Sequence, residues 1–175
     1  MTERPTTNVE VWLRGPIPGI IPELQSTAHA LLQALEDIER ATAALPRGAT
    51  WTTPNGVASI GFHLRHLAGS TERLFAAAVG RDLDQRQRAD LERERLADDE
   101  ELESLSARLR AAVERTLEGF ATVTRDDLGA ARRLGRKQIP TTTGDLLHHI
   151  GHHAARHSGQ VVTTAKFLGV DSGVG

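Results

Sequence analysis

The run Leu146-Leu147-His148-His149-Ile150-Gly151-His152-His153-Ala154-Ala155-Arg156-His157-Ser158-Gly159-Gln160-Val161 decides how this chain is read. Each residue of a helix turns by about 100°, so Leu146, Ile150, His153, His157, Val161, Thr164 and Leu168 fall on one stripe. Thr142 with Asp145 three positions on forms a capping pair before it, and Gly169 follows it. Together these signals predict a helix from about Thr143 to Leu168. In projection His153 and His157 lie near the centre of the buried face, one turn apart. His149 falls on its flank, and His148 and His152 point away.

Three more helices are predicted upstream. Pro22 suits a first helical turn, where its missing N–H costs nothing. Leu24, Ala28, Leu31, Leu35, Ile38 and Ala41 then carry a helical stripe to about Leu45, ended by Pro46-Arg47-Gly48. Pro54-Asn55-Gly56 opens a second helix with Asn55 as its N-cap; Ile60, Leu64, Leu67, Thr71, Leu74 and Ala78 share a face, and Gly80 closes it. Asp98 with Glu101 reads as a cap for a third, marked by Leu102, Leu105, Leu109, Ala112, Val113 and Leu117 and running to about Phe120.

The connections differ in character. Arg81 to Leu96 is dense in charge and poor in apolar residues, so it reads as a solvated connector with at most a helical turn or two. Thr122 to Pro140 reads as an irregular loop, longer than a bundle hairpin needs, and carries Arg125, Arg132, Arg133, Arg136 and Lys137. Those cations suit an anionic part of a substrate, although exposed charge explains them about as well. Pro5, Pro16 and Pro18 predict an irregular lead-in over residues 1–20, with Trp12 and Leu13 packing back on the body. The expected fold is all-α: a four-helix bundle over about 21–169, in a single domain spanning 1–175.

Composition narrows the function classes. The chain has 175 residues, 39% of them hydrophobic, and 21 basic against 23 acidic side chains give a net charge of −2. A dedicated nucleic-acid binder normally shows a clustered basic excess, so no nucleic-acid partner is expected. Cysteine is absent, which removes disulfides, thiolate metal sites and cysteine nucleophiles. No apolar run approaches the roughly 20 residues that span a bilayer, and the polar start Met1-Thr2-Glu3-Arg4-Pro5 is unlike a secretory signal. A cytoplasmic protein without a membrane partner is the expectation.

The eight histidines carry the chemistry. Imidazoles at i and i+4 stand side by side on a helix, which is how a helix offers two ligands to one cation. Buried imidazoles must keep their nitrogens paired and resist charging, and a cation bound by neutral rings satisfies both demands. A pair of hydrogen-bonded core histidines is the plain alternative. A third ligand must come from another helix, and the second helix offers His63 and His66. Projection puts His63 nearer the apolar stripe and His66 on a flank facing a neighbour, which mildly favours His63 without deciding. His29 reads as structural or exposed. No His-Glu-x-x-His occurs, nor the Glu-x-x-His of di-iron bundles, which leaves a mononuclear three-His site with open positions.

At Gly61-Phe62-His63-Leu64-Arg65-His66-Leu67-Ala68-Gly69-Ser70 and His153-Ala154-Ala155-Arg156-His157-Ser158-Gly159-Gln160 the chain resembles the DinB-like (DinB/YfiT) superfamily of bacterial metal-binding four-helix bundles. Trp12-Leu13-Arg14-Gly15-Pro16 and Ile139-Pro140-Thr141-Thr142 resemble a subset of it, so the likeness runs from about Val11 to Leu168. The resemblance implies one metal-ligating histidine on the second helix and two on the last, here His66, His153 and His157, with His63 as the alternative to His66. It also implies a close backbone approach at Gly159 and a polar contact from Gln160 to a ligand ring or to a water on the metal.

What the resemblance implies about function follows from that site. A divalent metal ion is expected, zinc or nickel first and iron or manganese as alternatives. The expected activity is a metal-dependent transferase of a low-molecular-weight bacterial thiol, or a hydrolase. The thiol must arrive as a small-molecule substrate, since the chain has no cysteine. A non-catalytic metal- or ligand-binding stress-response bundle is the other reading. A homodimer is the expected assembly. Glu72 and Asp145 are the nearest acids to the histidines along the helices, and neither is a compelling general base.

Overall fold

Pro22 opens the first helix as its ring predicts, and helix α1 runs Pro22–Thr42. The computed structural model describes residues 9–170. Residues 1–8, which include Pro5 and the polar start, and residues 171–175 lie outside the described residues. Helix α2 is Ile60–Ala78, α3 is Gln85–Arg93, α4 is Leu102–Phe120 and α5 is Thr143–Phe167. Strands β1 (Ala131–Leu134) and β2 (Ile139–Thr142) form an antiparallel hairpin directly before α5. The protein is thus mostly helical, a helical bundle with one small two-stranded sheet.

The four long helices pack in a ring. Helix α5 lies against α1 and α2, and α4 packs on the same two helices from the other side. Leu24, Leu31, Ile38, Leu64, Leu67, Leu105, Leu109, Phe120, Leu147 and Ile150 fill the space between them. Each buried Leu, Ile or Phe contributes about 1.5–3 kcal/mol relative to exposure, so this set dominates the stability of the bundle. Gly151 lets α5 approach α1 closely, since a Cβ there would meet the Thr27 backbone at 3.1–3.2 Å.

Several local expectations need correction. The second helix is not capped by Asn55: Pro54–Gly56 forms a separate 3-10 turn with Asn55 at φ 51°, and Ser59 caps α2 by accepting from the Phe62 N–H. Asp98 and Glu101 form no capping pair. Glu101 stands at the N-cap of α4 without a side-chain bond, and both oxygens of Asp98 accept from Arg65 at 2.6 and 2.7 Å. The charged connector contains a true helix, α3, started by a capping box between Asp84 and Gln87. Trp12 and Leu13 do not pack back. Trp12 is 59% exposed and Val11 takes the buried place, its N–H donating to Gln33 Oε1.

The long loop is partly ordered as the hairpin, which is anchored to the C-terminal end of α2. Arg132 Nε and Thr143 Oγ1 both donate to the Ala78 carbonyl, at 2.7 and 2.8 Å. Last-turn carbonyls of a helix lack intrahelical partners, so they accept such donors readily. At the start of α5 the predicted pair forms a complete capping box between Thr142 and Asp145.

Candidate metal centre

The site is built where α2 and α5 face each other. His66 and His63 come from adjacent turns of α2, and His153 and His157 from adjacent turns of α5. His66 Nε2 and His153 Nε2 stand 2.9 Å apart. The His157 ring lies 4.6 Å from that of His66 and 4.4 Å from that of His153, centre to centre. One ligand nitrogen from each of these three rings lies within 4.8 Å of the others. A zinc–imidazole bond of about 2.0–2.1 Å places tetrahedral ligand nitrogens about 3.3 Å apart. The observed spacing brackets that value, so the group fits one cation with small side-chain movements.

His63 is brought to the same cluster in a different role. It is 3% exposed, the most buried of the four, and its Nδ1 lies 2.9 Å from His157 Nδ1. One proton is shared between those two nitrogens, which leaves Nε2 as the remaining ring nitrogen of His157. Phe62 stacks on His66 with ring centres 5.4 Å apart and planes 12° from parallel. The expectation that His153 and His157 occupy the centre of the buried face of α5 is corrected. Leu147, Ile150, Ala154, Val161 and Ala165 form that centre, and the two histidines line its edge toward α2. Pure 100° projection misplaces them because α5 also buries the row at Gly151, Ala154 and Ser158 against neighbouring helices.

The residue that sequence reading missed is Glu94. It follows α3, is 6% exposed, and its Oε1 accepts from His66 Nδ1 at 2.6 Å while Oε2 accepts from Arg73 at 2.5 Å. A carboxylate accepts only, so the His66 proton is fixed on Nδ1 and Nε2 keeps its lone pair toward His153. Burial alone would raise the carboxyl pKa of Glu94, but hydrogen bonds from His66 and Arg73 outweigh it and hold it below the usual range. No periodic signal marks Glu94. The capping pair Asp84 and Gln87 is the one sequence cue that its segment is ordered.

Burial keeps three of the four rings uncharged, His63, His153 and His157. Burial, and then the neighbouring imidazoles, lower His153 to about 4 and His157 to about 3. His63 falls to about 4 through burial and the nearby His66. Neutral imidazole is the form that ligates metal, so His153 and His157 are ready to bind at neutral pH. A cavity of about 1000 Å³ opens beside it, bordered by His66, His149 and His153, so two of the three candidate ligands, His66 and His153, lie next to open space.

Other candidates fall elsewhere. His148 Nδ1 pairs with Thr27 Oγ1 at 3.1 Å, and His29 Nε2 with the Gly15 carbonyl at 3.0 Å. His152 is exposed. Glu72 is tied to Arg86 and Arg115, and Asp145 is engaged in the capping box of α5 with Thr142. Gly159 makes no close approach, since nothing lies within 4 Å of a Cβ built there. Gln160 is exposed and lines a separate cavity with His63 and Arg156. Among the described residues no helix is long and apolar enough to cross a membrane.

Comparison with solved structures finds a conserved protein from Enterococcus faecalis, 19% identical, with a TM-score of 0.68 over 81% of this chain and 94% of that one. At that identity the likeness speaks for the fold alone. No curated protein matches the chain. A sequence profile of the DinB superfamily matches residues 23–161, from the first turn of α1 to beyond the last histidine of α5. With the helix order and the histidines of α2 and α5 in place, this chain belongs to the DinB superfamily.

Proposed function

We propose that His66, His153 and His157 hold one divalent cation, zinc or nickel, and that the chain uses it as an enzyme on a small-molecule substrate. The observation that carries the reading is the convergence of three imidazoles from two helices, one nitrogen each within 4.8 Å, beside an open cavity. A cation held there supplies Lewis acidity, making a water or a substrate thiol a usable nucleophile near neutral pH.

The chain's own groups do the positioning. Glu94 fixes the tautomer of His66, His63 orients His157, and Phe62 holds the plane of His66 by stacking. With no cysteine in the chain, a sulfur nucleophile comes only with the substrate. The two reaction classes proposed, on the family resemblance, are transfer of a low-molecular-weight thiol to an electrophile, and hydrolysis.

The test uses metal-loaded and metal-stripped protein with a thiol and monochlorobimane, and in parallel with ester substrates. Turnover that needs the metal and is lost in the His66→Ala, His153→Ala double variant is the expected result. Stoichiometric metal binding without turnover on either substrate class would instead leave a non-catalytic binding protein. A homodimer in the cytoplasm completes the reading; sedimentation at micromolar concentration checks the assembly.

A further inference from the structure

The cavity beside the histidines has a strongly uneven wall. At the end away from His66 and His153 it is lined by Arg81, Arg132 and Arg133, and along its side by Leu74, Leu83 and Leu134. The three arginines come from two elements that the fold brings together: Arg81 from the turn after α2, Arg132 and Arg133 from β1. Ten arginines of the described residues sit in salt bridges, including Arg73 of this same cavity, which is taken up by Glu94. Arg81, Arg132 and Arg133 enter no salt bridge among the described residues. Asp82 is the one acid in the lining. Asp127, outside the lining, feels the charge of Arg132 but is occupied by the Thr124 cap.

Arg132 is held in place rather than free to swing. It is half-buried, its Nε donates to the Ala78 carbonyl at 2.7 Å and its Nη1 to the Ala131 carbonyl at 3.0 Å. Arg81 lies over the Phe75 ring, 5.8 Å from its centre. A guanidinium held by its inner N–H groups keeps its outer edge for an incoming anion, and guanidinium geometry matches carboxylate and phosphate oxygens in pairs.

We propose that this cavity binds an organic anion, a molecule with a carboxylate or phosphate head and an apolar body. The head rests on Arg132 and Arg81, and the body lies along Leu74, Leu83 and Leu134. The other end of the ligand is directed to His66 and His153, and this orientation alone rests on the function proposed above. Substrate selection is then divided: the histidines act at one end, and the hairpin chooses for negative charge at the other.

The experiment is calorimetric titration of metal-stripped protein, dialysed free of chelator, with hexanoate, hexyl phosphate, hexanol and hexylamine. At least one anion is expected to bind tenfold or more tighter than hexanol, with hexylamine the weakest; which anion leads separates a carboxylate from a phosphate ligand. Raising salt from 50 to 500 mM should shrink the preference. The Arg81→Gln, Arg132→Gln double variant should reduce it to under threefold, and Arg88→Gln, outside the cavity, should leave it unchanged. If the double variant does not fold, Arg81→Gln alone should weaken anion binding while hexanol binding holds. Equal binding of hexanol and both anions, or an anion preference untouched by the arginine changes, overturns the proposal. The His66→Ala, His153→Ala variant should keep the preference, so loss of metal binding and loss of anion binding report on separate readings. A preference that vanishes with the histidines and survives the arginine changes also overturns it.

Discussion

Arg65 and His66 are neighbours on α2, yet they open onto two buried polar clusters of opposite character. Arg65 is saturated. Its guanidinium donates to the Leu96 carbonyl at 2.6 Å, to both oxygens of Asp98 and to Glu100 at 3.0 Å, and it stacks on Trp51 at 4.4 Å. One cation meets two anions and a ring, and little hydrogen-bonding capacity is left over. His66 belongs to four imidazoles that share a single carboxylate, Glu94, and that face one another nitrogen to nitrogen. That cluster is rich in lone pairs and short of positive charge. A polar network whose donors are all matched fastens the fold, whereas one with surplus lone pairs is built to receive a cation.

The contrast can be broken most forcefully at its two centres. Arg65→Ala leaves Asp98 without its main partner and takes one of two guanidinium partners from Glu100, so a loss of about 3 kcal/mol is expected, read from urea unfolding. The metal content of the folded fraction should stay at the wild-type level. Loss of metal with retained stability would reverse the roles assigned to the two clusters.

Glu94→Gln probes the link between them and the histidines. Removing the carboxylate that fixes His66 should weaken metal affinity by about 10–100-fold, with the ion still bound one per chain. Competition against a chelator of known affinity measures it, and an unchanged affinity would mean that Glu94 merely neutralises Arg73.

Acid sharpens the comparison. His63 and His153 titrate at about 4 and His157 at about 3 in the folded protein, against an ordinary 6.5. Between those limits the unfolded chain takes up protons first, so metal-free protein should lose stability as pH falls from 6.5 toward 4. The carboxylates partnered by Arg65 titrate below their ordinary values and contribute their loss only at lower pH. Melting temperatures at pH 7.5, 6.5 and 5.5 should therefore already decline. A flat profile above pH 5 would show that the imidazoles are solvated. The smallest effect is at the entry to α5, where Thr142→Ala removes a capping box and should cost about 1 kcal/mol without changing metal stoichiometry.

The helices were legible because their apolar rows repeat over many turns, as in Leu24, Leu31, Leu35 and Ile38 of α1. The hairpin was not: Ala131–Leu134 and Ile139–Thr142 show no alternation, and Pro140 sits in the second strand. His153 and His157 were readable from their spacing. Choosing between His63 and His66 was not possible by projection, because burial and reach are different properties. His63 is the more buried and sits behind His157, while the flanking position of His66 lets its Nε2 meet that of His153. Glu94 was invisible since its partner lies in another helix and its segment carries no apolar row.

Calorimetric titration of metal-stripped protein with zinc tests the central claim most directly. The account predicts saturation at one ion per chain, abolished in the His66→Ala, His153→Ala variant although that variant remains folded by circular dichroism. Saturable one-to-one binding that survives the double substitution, or no saturable binding by the wild-type chain, would contradict it.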